Sequence, residues 1–426
     1  MLVLHGNYLT ELPSDIGRAR HLRRLSLHSN RLDSLPEAVS LLGALQHLSV
    51  HENRLRTIPP LPARSEVSEF TFHANPMLES LEDVSPDTLQ SIGLEALSFR
   101  ECALRSFAGR ALNDDDGDSA LHRALLHLTL SDNRALSTVD GIGARLVTLE
   151  AERCAIVAFP TGLPSTLRSL RLHANKIVRL ESDTVGHLTN LRYLDSGGDY
   201  TTTPEPSATQ RARSLSLSFS LSLSLRYLDC SANALADIPG VAALTGLAEL
   251  ILNSNPDLAS LPSPRGLGSL GHLEAHGCAL QTLPGDVGAL TKLHSLDVSG
   301  NPIGALPASI ASCRSLTLLN VSGCRLEELP SAIVNAKHIV SVIASGNERL
   351  SYINPQIANA QRLALLNLSG CVALRAVPVE LARCTTLTEL DLTGTRLVAA
   401  VPEAVRALPN LRRLAEGGRA EAEGSA

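Results

Sequence analysis

The phrase Leu-x-x-Leu-x-Leu-x-x-Asn-x-Leu recurs along nearly the whole chain and is often followed by Leu-Pro. One clean copy starts at Leu22, and others start at Leu45 and Leu293. Positions 1, 4 and 6 of the phrase alternate as the inward residues of a short strand do. Since a single repeat is too short to bury its apolar face alone, the repeats must stack, with their strands paired in parallel.

Two further positions of the phrase predict the rest of each repeat. The Asn at position 9 lies where the chain leaves the strand, and an amide can both donate to and accept from backbone groups that the turn leaves unpaired. The Leu-Pro begins the return segment, as at Leu35 and Pro36. Proline suits the first position of a short helix. We therefore expect a buried asparagine ladder and short helical or 3-10 turns on the return side.

The spacing of the repeats divides the chain. From Leu225 onward the phrase recurs every 22 to 24 residues, whereas earlier gaps range from 21 to 34. We predict irregular repeats over 1–195, with an acidic insertion near 108–124, then a low-complexity insertion over 196–224. Regular repeats follow over 225–414, and a disordered polar tail over 415–426. The Ser-Leu alternation inside the 196–224 insertion is compatible with a flexible loop or with an extra edge strand.

Charge and hydropathy exclude some functions. The net charge is −6 over 426 residues, and neither half of the chain is basic, so we expect no nucleic-acid partner. No apolar run approaches the length that a membrane-spanning helix needs, so we expect no membrane insertion. Met1 enters the first repeat halfway, and neither a basic nor an apolar leader pattern follows it, so we expect no signal peptide. Terminal repeats normally carry a polar cap, so the protein is expected to be longer or to have this end covered by a partner.

The cysteines follow the repeat. Neither paired clusters nor a Cys-x-x-Cys motif occurs, so we expect free buried thiols and a reducing compartment, the cytoplasm or also the nucleus. Since Asn and Cys share position 9, we expect Cys324→Asn to be tolerated. The cysteines at position 9 are Cys102, Cys154, Cys278, Cys324 and Cys371.

Two motifs for chemistry fail on their context. Residues 113–118 are acidic, but they lack the acidic first ligand and the final Glu of a calcium loop. Residues 266–271 match G-x-G-x-x-G on a return segment, where no strand precedes a helix to hold a pyrophosphate. We predict no catalytic residue, no cofactor and no metal site.

Position 7 is histidine in several repeats, and adjacent copies should lie about 5 Å apart. One interpretation is a polar ladder inherited with the duplicated repeat. The other is a pH-sensitive or metal-accepting strip, since imidazole titrates near neutrality and binds metals readily. The histidines at position 7 are His5, His28, His51, His73, His173 and His276.

The outward strand positions form the concave face, which is the default binding surface. Tyr and Arg are favoured as interface anchors, and both occur here beside acidic residues. We therefore predict a partner-binding site on this face. It comprises Arg168, Arg171, Arg192, Tyr193, Asp195, Arg226, Tyr227, Asp229, Glu249, Glu274 and Asp297.

The phrase and its Leu-Pro-x-x-Ile endings resemble the leucine-rich repeat superfamily, in particular its typical or Ras-group intracellular class. The resemblance covers residues 2–414. It implies an α/β solenoid, a horseshoe with a parallel concave β-sheet and short helical or 3-10 turns on the convex side. It also implies a non-enzymatic scaffold that binds a partner protein. Copies such as residues 159–170 are closer to the repeats of secreted bacterial effectors. The alternative function is therefore a recognition module of a larger enzyme, such as a ubiquitin-ligase effector, or of a receptor.

Overall fold

The computed structural model describes residues 1–58, 61–62, 67–81, 94–108, 124–140, 142, 145–177, 187–198, 224–233, 235–238, 240–329, 333 and 338–416. These residues form two compact units, one holding the described residues up to Leu225 and the other those from Arg226 onward. The acidic insertion near 108–124 and the low-complexity insertion over 196–224 lie almost entirely outside the described residues, so both remain predictions.

The first unit is built from short parallel strands. In one sheet β1 to β4 pair in chain order, and in another the order is β5, β7, β9, β10 and β11, while β6 pairs with β8. The strands are β1 Leu2–Val3, β2 Arg24–Ser26, β3 His47–Ser49, β4 Glu69–Thr71, β5 Ala96–Ser98, β6 Ser106–Ala108, β7 His127–Thr129, β8 Thr138–Asp140, β9 Thr148–Glu150, β10 Ser169–Arg171 and β11 Tyr193–Asp195.

The second unit repeats this design with more even spacing. Its main sheet runs β12, β13, β14, β15, β16, β18, β20, β21 and β22, with β17 paired to β19 beside it. The strands are β12 Tyr227–Asp229, β13 Glu249–Ile251, β14 His272–Glu274, β15 Ser295–Asp297, β16 Leu318–Asn320, β17 Glu328–Leu329, β18 Ser341–Ile343, β19 Tyr352–Ile353, β20 Leu365–Asn367, β21 Glu389–Leu392 and β22 Arg413–Glu416. Because β22 ends at Glu416, the first two residues of the predicted tail are strand.

In the described part of the chain, the helical return segments are 3-10 turns, apart from a short α-helix, α1, at Glu403–Arg406. Pro264 and Pro355 lie in the first turn of their segments as expected. Pro36, however, is the residue before its turn, with an extended backbone. The 3-10 turns span Ser14–Arg18, Glu37–Leu41, Val241–Ala243, Pro264–Gly266, Val287–Ala289, Ala308–Ser312, Pro355–Asn359 and Val379–Arg383.

The glycine motif at 266–271 has a packing role on the return side. A Cβ on Gly266 would overlap the carbonyl oxygen of Ala242 in the neighbouring turn, whereas Gly268 has open space around it. Gly266 therefore lets two return turns approach closely, and the interpretation of this motif as a chance match to a nucleotide site agrees with its position.

The core of each unit consists of the inward strand residues stacked in register. Leu25 pairs with Leu48 between β2 and β3, and Leu296 with Leu319 between β15 and β16. Leu25, Leu296 and Leu319 are fully buried. The predicted leucine-rich repeat solenoid, with parallel strands on one side and 3-10 turns on the other, is confirmed within each unit.

Asparagines of the ladder both donate to and accept from the backbone of the preceding repeat, as Asn53 shows. Asn53 donates from Nδ2 to the carbonyl oxygen of Leu27 in the preceding repeat, 3.0 Å away. Its Oδ1 accepts from the backbone N–H of Leu32, also 3.0 Å away. The amide thus satisfies two buried backbone groups of the repeat before it.

A cysteine at position 9 can bond only one of these two backbone groups, the carbonyl oxygen. Cys324 Sγ donates to the carbonyl oxygen of Val298 at 3.2 Å, as an asparagine would. The backbone N–H that would seek an acceptor belongs to Ile303, and it already donates to the carbonyl oxygen of Asn301 at 2.8 Å. Burial raises the pKa of the Cys324 thiol to about 11, so it stays a protonated donor.

The same rule holds at the other four cysteine positions of the ladder. In each preceding repeat one extra residue follows position 9, and the next leucine N–H bonds the position-9 carbonyl within its own turn. Asn and Cys are therefore not interchangeable in hydrogen bonding, and the expected tolerance of Cys324→Asn has to be revised. The self-satisfied leucines are Leu78, Leu136, Leu258 and Leu350, ahead of Cys102, Cys154, Cys278 and Cys371.

Candidate interaction surfaces

The first unit gathers three of the outward side chains on neighbouring strands. The guanidinium of Arg171 lies over the ring of Tyr193, with 5.1 Å between Cζ and the ring centroid. The same guanidinium is 3.4 Å from a carboxylate oxygen of Glu150. The register places these residues on β9, β10 and β11 side by side. An Arg stacked on an aromatic ring and held by an acid is a preorganised contact surface. We call these three residues the Tyr193 cluster.

The other predicted residues of the first unit lie around this cluster. Arg168 and Arg192 are exposed and directly precede β10 and β11. Asp195 is buried, and its Oδ1 accepts the backbone N–H of Gly197 at 3.1 Å. His173 Nδ1 lies 3.6 Å from the same oxygen. Asp195 thus also holds the end of its strand.

In the second unit, Arg226 and Tyr227 make local contacts. Arg226 donates from Nη1 to the carbonyl oxygen of Gly246 at 2.9 Å, which ties its head group to the next repeat. The hydroxyl of Tyr227 donates to Asp229 Oδ2 at 3.4 Å. Asp229 is buried and its Oδ1 accepts the backbone N–H of Ser231 at 2.8 Å. Tyr227 is half-buried on the strand face.

The outward acids farther along the second unit differ in how far they are used internally. Glu249 is exposed on β13. Glu274 accepts from Asn253 Nδ2 at 2.9 Å. Asp297 accepts the N–H of Ser299 at 2.9 Å and the Asn320 amide at 2.8 Å. Position 5 is therefore a strand-end cap as well as a surface position, a role the sequence analysis did not assign. The recurrence of Asp or Asn at position 5 together with Ser or Thr at position 7 of the same repeat is the sequence pattern that could have predicted this cap.

Apolar side chains also lie on this face, where the repeat pattern alone did not predict contact residues. Leu318, Ile343 and Leu365 occupy outward positions of β16, β18 and β20 and are only half-buried. Strand register places Ser341 between Leu318 and Leu365. Apolar residues at outward positions of an otherwise polar sheet are typical of the centre of an interface.

The position-7 histidines of the first unit form a continuous stack. The ring centroids of His5, His28, His51 and His73 are separated by 4.3, 4.4 and 4.5 Å in turn. The interplanar angles are 9°, 6° and 11°, so the rings are nearly parallel. This agrees with the stacking that the repeat spacing predicts, and we call the four residues the histidine strip.

Burial and neighbouring imidazoles act together on this strip. The pKa of His28 is lowered by burial and by His5, and that of His51 is lowered by burial, His73 and His28. Glu52 opposes both shifts. Within the described residues, no group of three or more His, Cys, Asp or Glu side chains is arranged to hold a metal ion. The metal-accepting interpretation of the strip therefore has no support in this geometry.

No disulfide joins any of the eight cysteines, all of which lie in the described residues and are buried. Burial raises the pKa of the Cys154 and Cys371 thiols to about 11, which disfavours the reactive thiolate. In the part of the chain that the structure describes, no helix is long and apolar enough to cross a membrane.

Parts of the sequence match models of a known protein family. A family model described as leucine rich repeat matches residues 1–58, and a second such model matches 292–313 and 315–336. Among curated protein sequences, no match was found.

Solved structures share the fold over nearly the full length. The LRR protein LIC12759 of Leptospira interrogans is 21% identical, with 97% of this chain and 90% of that chain covered and a TM-score of 0.61. YopM of Yersinia enterocolitica is 24% identical, with 99% and 88% covered and a TM-score of 0.60. The Arabidopsis receptor kinase HAESA, solved with the peptide hormone IDA and the co-receptor SERK1, is 21% identical, with 97% and 69% covered and a TM-score of 0.59.

The recurring phrase, the parallel strands, the position-9 ladder and the two family-model matches together identify the chain as a member of the leucine-rich repeat superfamily.

Proposed function

We propose that this chain is a non-enzymatic scaffold that binds a partner protein on the outward faces of its strands. The observation that carries the proposal is the Tyr193 cluster, which presents an aromatic ring, a guanidinium and a carboxylate on three adjacent rigid strands. Truncation of an aromatic or Arg residue at an interface hot spot typically costs about 2 kcal/mol or more.

The second unit offers its own outward face to the same function. Tyr227, Glu249, Glu274 and Asp297 remain predicted contact residues there. The apolar side chains Leu318, Ile343 and Leu365 extend the face beyond them. Receptor HAESA, which shares the fold, was solved with a peptide hormone and a co-receptor, and the proposal extends protein binding of this general kind to the present chain.

The proposed location is the cytoplasm, with the nucleus as a second possibility. The support is the eight free, buried thiols, which fit a reducing compartment. The alternative function remains a recognition module of a larger enzyme or receptor. A full-length transcript separates the two, because it shows whether coding sequence for another domain adjoins this one.

The test uses two matched double variants of the first unit. Arg171→Ala with Tyr193→Ala removes the cluster. Tyr8→Ala with Arg31→Ala removes another Arg–Tyr pair, with 4.7 Å between Arg31 Cζ and the Tyr8 ring centroid, that lies on the turn after the strands. Partners are captured from the native cell and quantified by mass spectrometry, and the affinity of the main partner is then measured with purified proteins.

We expect the Kd of the cluster variant for the main partner to rise by roughly 700-fold, since two anchors of about 2 kcal/mol each are removed. The turn variant should retain it. Equal retention of the partner by both variants would contradict the proposed face. Both should unfold at the wild-type urea midpoint, because all four side chains lie outside the core.

A further inference from the structure

The histidine strip lies at the ends of β1 to β4, on the edge where each strand turns out of the sheet. His5 is exposed, and His28, His51 and His73 are half-buried. The stack is therefore a surface feature with one edge open to solvent, and it runs along the solenoid across four consecutive repeats.

Hydroxyl groups hold one nitrogen of three of these rings. His5 Nδ1 is 3.1 Å from Ser26 Oγ, and His28 Nδ1 is 3.1 Å from Ser29 Oγ. His51 Nδ1 contacts Ser49 and Thr71 at 3.1 and 3.0 Å. Since Nδ1 and Nε2 lie on different edges of an imidazole, this anchoring fixes the side from which Nε2 is reached. Within the described residues, no hydrogen bond to Nε2 of these three rings is present.

Protonation of the strip is coupled from ring to ring. Two positive charges on rings whose centroids are 4.4 Å apart would repel each other, because solvent at a protein surface screens charges at such a distance only in part. This repulsion is why His5 lowers the pKa of His28, and why His73 and His28 lower the pKa of His51. An anion lying along the open edge would relieve the repulsion and be bound more tightly as the strip gains protons.

The charged groups around the strip leave it without an adequate counter-charge of its own. Glu52 faces His28 and His51 from the turn, where it accepts from Ser29 Oγ at 2.7 Å. Glu69, on the outward side of β4, is paired with His47 at 2.8 Å. At the far end, the next position-7 residue is Arg100, which pairs with Asp132 and Glu101. Arg24 lies exposed on β2.

The composition of this region has the opposite sign to the chain as a whole. Residues 1–58 carry seven arginines, five acidic residues and five histidines, whereas the whole chain has a net charge of −6. Acidification therefore makes this region the most positive part of the first unit. We propose that the histidine strip is a docking site for an acidic segment of a partner protein, one with several neighbouring carboxylates, and that it is occupied on acidification.

A short acidic peptide fits this site better than a nucleic acid does. The strip is long enough for only two or three anionic groups, whereas nucleic-acid affinity comes from many phosphate contacts along a basic surface. Beyond the strip, Glu101, Asp132 and Glu152 pair with Arg100 and Arg153 on the same edge, so this edge offers a longer polyanion no uncompensated positive charge. Clustered side-chain carboxylates need no such extended surface.

The first experiment measures binding of a fluorescein-labelled peptide with four consecutive glutamates by fluorescence anisotropy between pH 5.5 and 7.5. The matched peptide has four glutamines. We expect the glutamate peptide to bind about tenfold more tightly at pH 5.5, the effect of roughly one pKa unit of linked protonation. The glutamine peptide should not respond to pH.

A pair of double variants tests the site. His28→Gln with His51→Gln should abolish the pH-dependent part of the binding. His272→Gln with His294→Gln removes two histidines from the second unit, where the ring centroids are 6.4 Å apart, and should leave binding unchanged. Equal losses in both variants would mean a general effect of net charge and would overturn the proposal. So would tighter, equally His-dependent binding of an oligonucleotide of the same charge.

A measurement on the unmodified chain guards against misfolding of the variants. The histidine ring protons are followed by NMR as the pH is lowered, with and without the glutamate peptide. The pKa values of the strip histidines should rise when the peptide is present, and those of His272 and His294 should not. Binding of the peptide with no rise at the strip would refute the site. The proposed partner face at the Tyr193 cluster is tested separately and does not depend on this result.

Discussion

The two units build the same turn after each strand from different residues. At position 8 the backbone is left-handed in both units, with φ between 51° and 73°. Apart from Gly6 in the first repeat, the first unit uses non-glycine residues there, namely Ser29, Glu52, Ala74, Glu101, Asp132, Arg153 and Ala174. The second unit uses Ala232 and Ser254 and then only glycine, namely Gly277, Gly300, Gly323, Gly346, Gly370 and Gly394.

The residue at position 8 determines both the backbone strain of the turn and the contacts that the turn can make at the surface. A side chain in the left-handed region costs roughly 1 to 2 kcal/mol, but it can make contacts that glycine cannot. Asp132 accepts two hydrogen bonds from Arg153, at 2.6 and 2.8 Å, and one from Arg100 at 2.9 Å. In the second unit glycine removes the strain, and Asp or Asn at position 5 caps the turn, as Asp297 does for Ser299. The turns after the strands thus carry varied side chains at position 8 in the first unit and mostly glycine in the second.

The largest effect is expected on the return side of the second unit. Gly266→Ala puts a methyl group onto the carbonyl oxygen of Ala242. Because a backbone atom must move, we expect the free energy of unfolding to fall by about 3 kcal/mol. Urea titration measures the change. Gly268→Ala, with no neighbouring atom within 4 Å, is the control and should change stability by less than about 1 kcal/mol.

Gly17 in the first unit sharpens this comparison. A Cβ there would lie 3.0 Å from the Cβ and carbonyl oxygen of Ala38. The first unit should therefore lose less stability on Gly17→Ala than the second does on Gly266→Ala. An equal or larger loss would show that the return turns of the two units are equally tight.

The next largest effect concerns the ladder. Asn53→Cys leaves the buried N–H of Leu32 without an acceptor, and we expect a loss of about 2 kcal/mol. Cys324→Asn adds a buried carbonyl oxygen whose natural donor, Ile303 N–H, is already bonded. We expect Cys324→Asn to lower the free energy of unfolding by about 1 kcal/mol. Denaturant unfolding of both variants, compared with Asn53→Ala as reference, checks the order. Two neutral substitutions would contradict the ladder rule.

Exchange of position-8 residues between the units should have a smaller effect. Gly323→Ala has room for its Cβ, since the nearest atoms of Gly300 are 3.7 Å away, but it has a φ of 63°. We expect a loss of about 1 kcal/mol from backbone strain alone. Ala74→Gly relieves the same strain at a φ of 56°, offset by chain entropy, so stability should stay level or rise slightly. Thermal unfolding of the pair is the measurement.

The last prediction concerns how the free energy of unfolding of the first unit depends on pH. Its effect at neutral pH is the smallest of all. The pKa values of His28 and His51 are lowered in the folded state. Below the ordinary histidine pKa of about 6.5, the unfolded chain binds protons that the folded chain does not. Stability should therefore be unaffected above that value and decline as the pH falls through it. His28→Gln should flatten the slope between pH 7 and 5, and His272→Gln should not. A slope unchanged by His28→Gln would rule out this origin.

Much of the fold followed from the leucine phrase, because positions 1, 4 and 6 can be inward only in a short strand. Leu25 and Leu296 are buried as that pattern requires. The candidate face was only partly accessible from sequence. Tyr193 and Arg171 belong to successive repeats, and their contact follows from the parallel register of β10 and β11. The internal bonds of Asp229 and Arg226 could not be read from residue type, since an outward acid or arginine looks the same whether or not a backbone group satisfies it.

The sequence by itself determined the repeat, the inward residues, the place of the ladder and the stacking of the histidines, because all of these depend on a period along one chain. The tertiary structure alone decided which ladder position needs an acceptor, which outward acid caps a strand and which glycine allows two turns to meet. These depend on distances between atoms of neighbouring repeats. A difference of a single residue in one turn, as before Cys278, changes the hydrogen-bonding need of the next while leaving the period of the pattern almost intact.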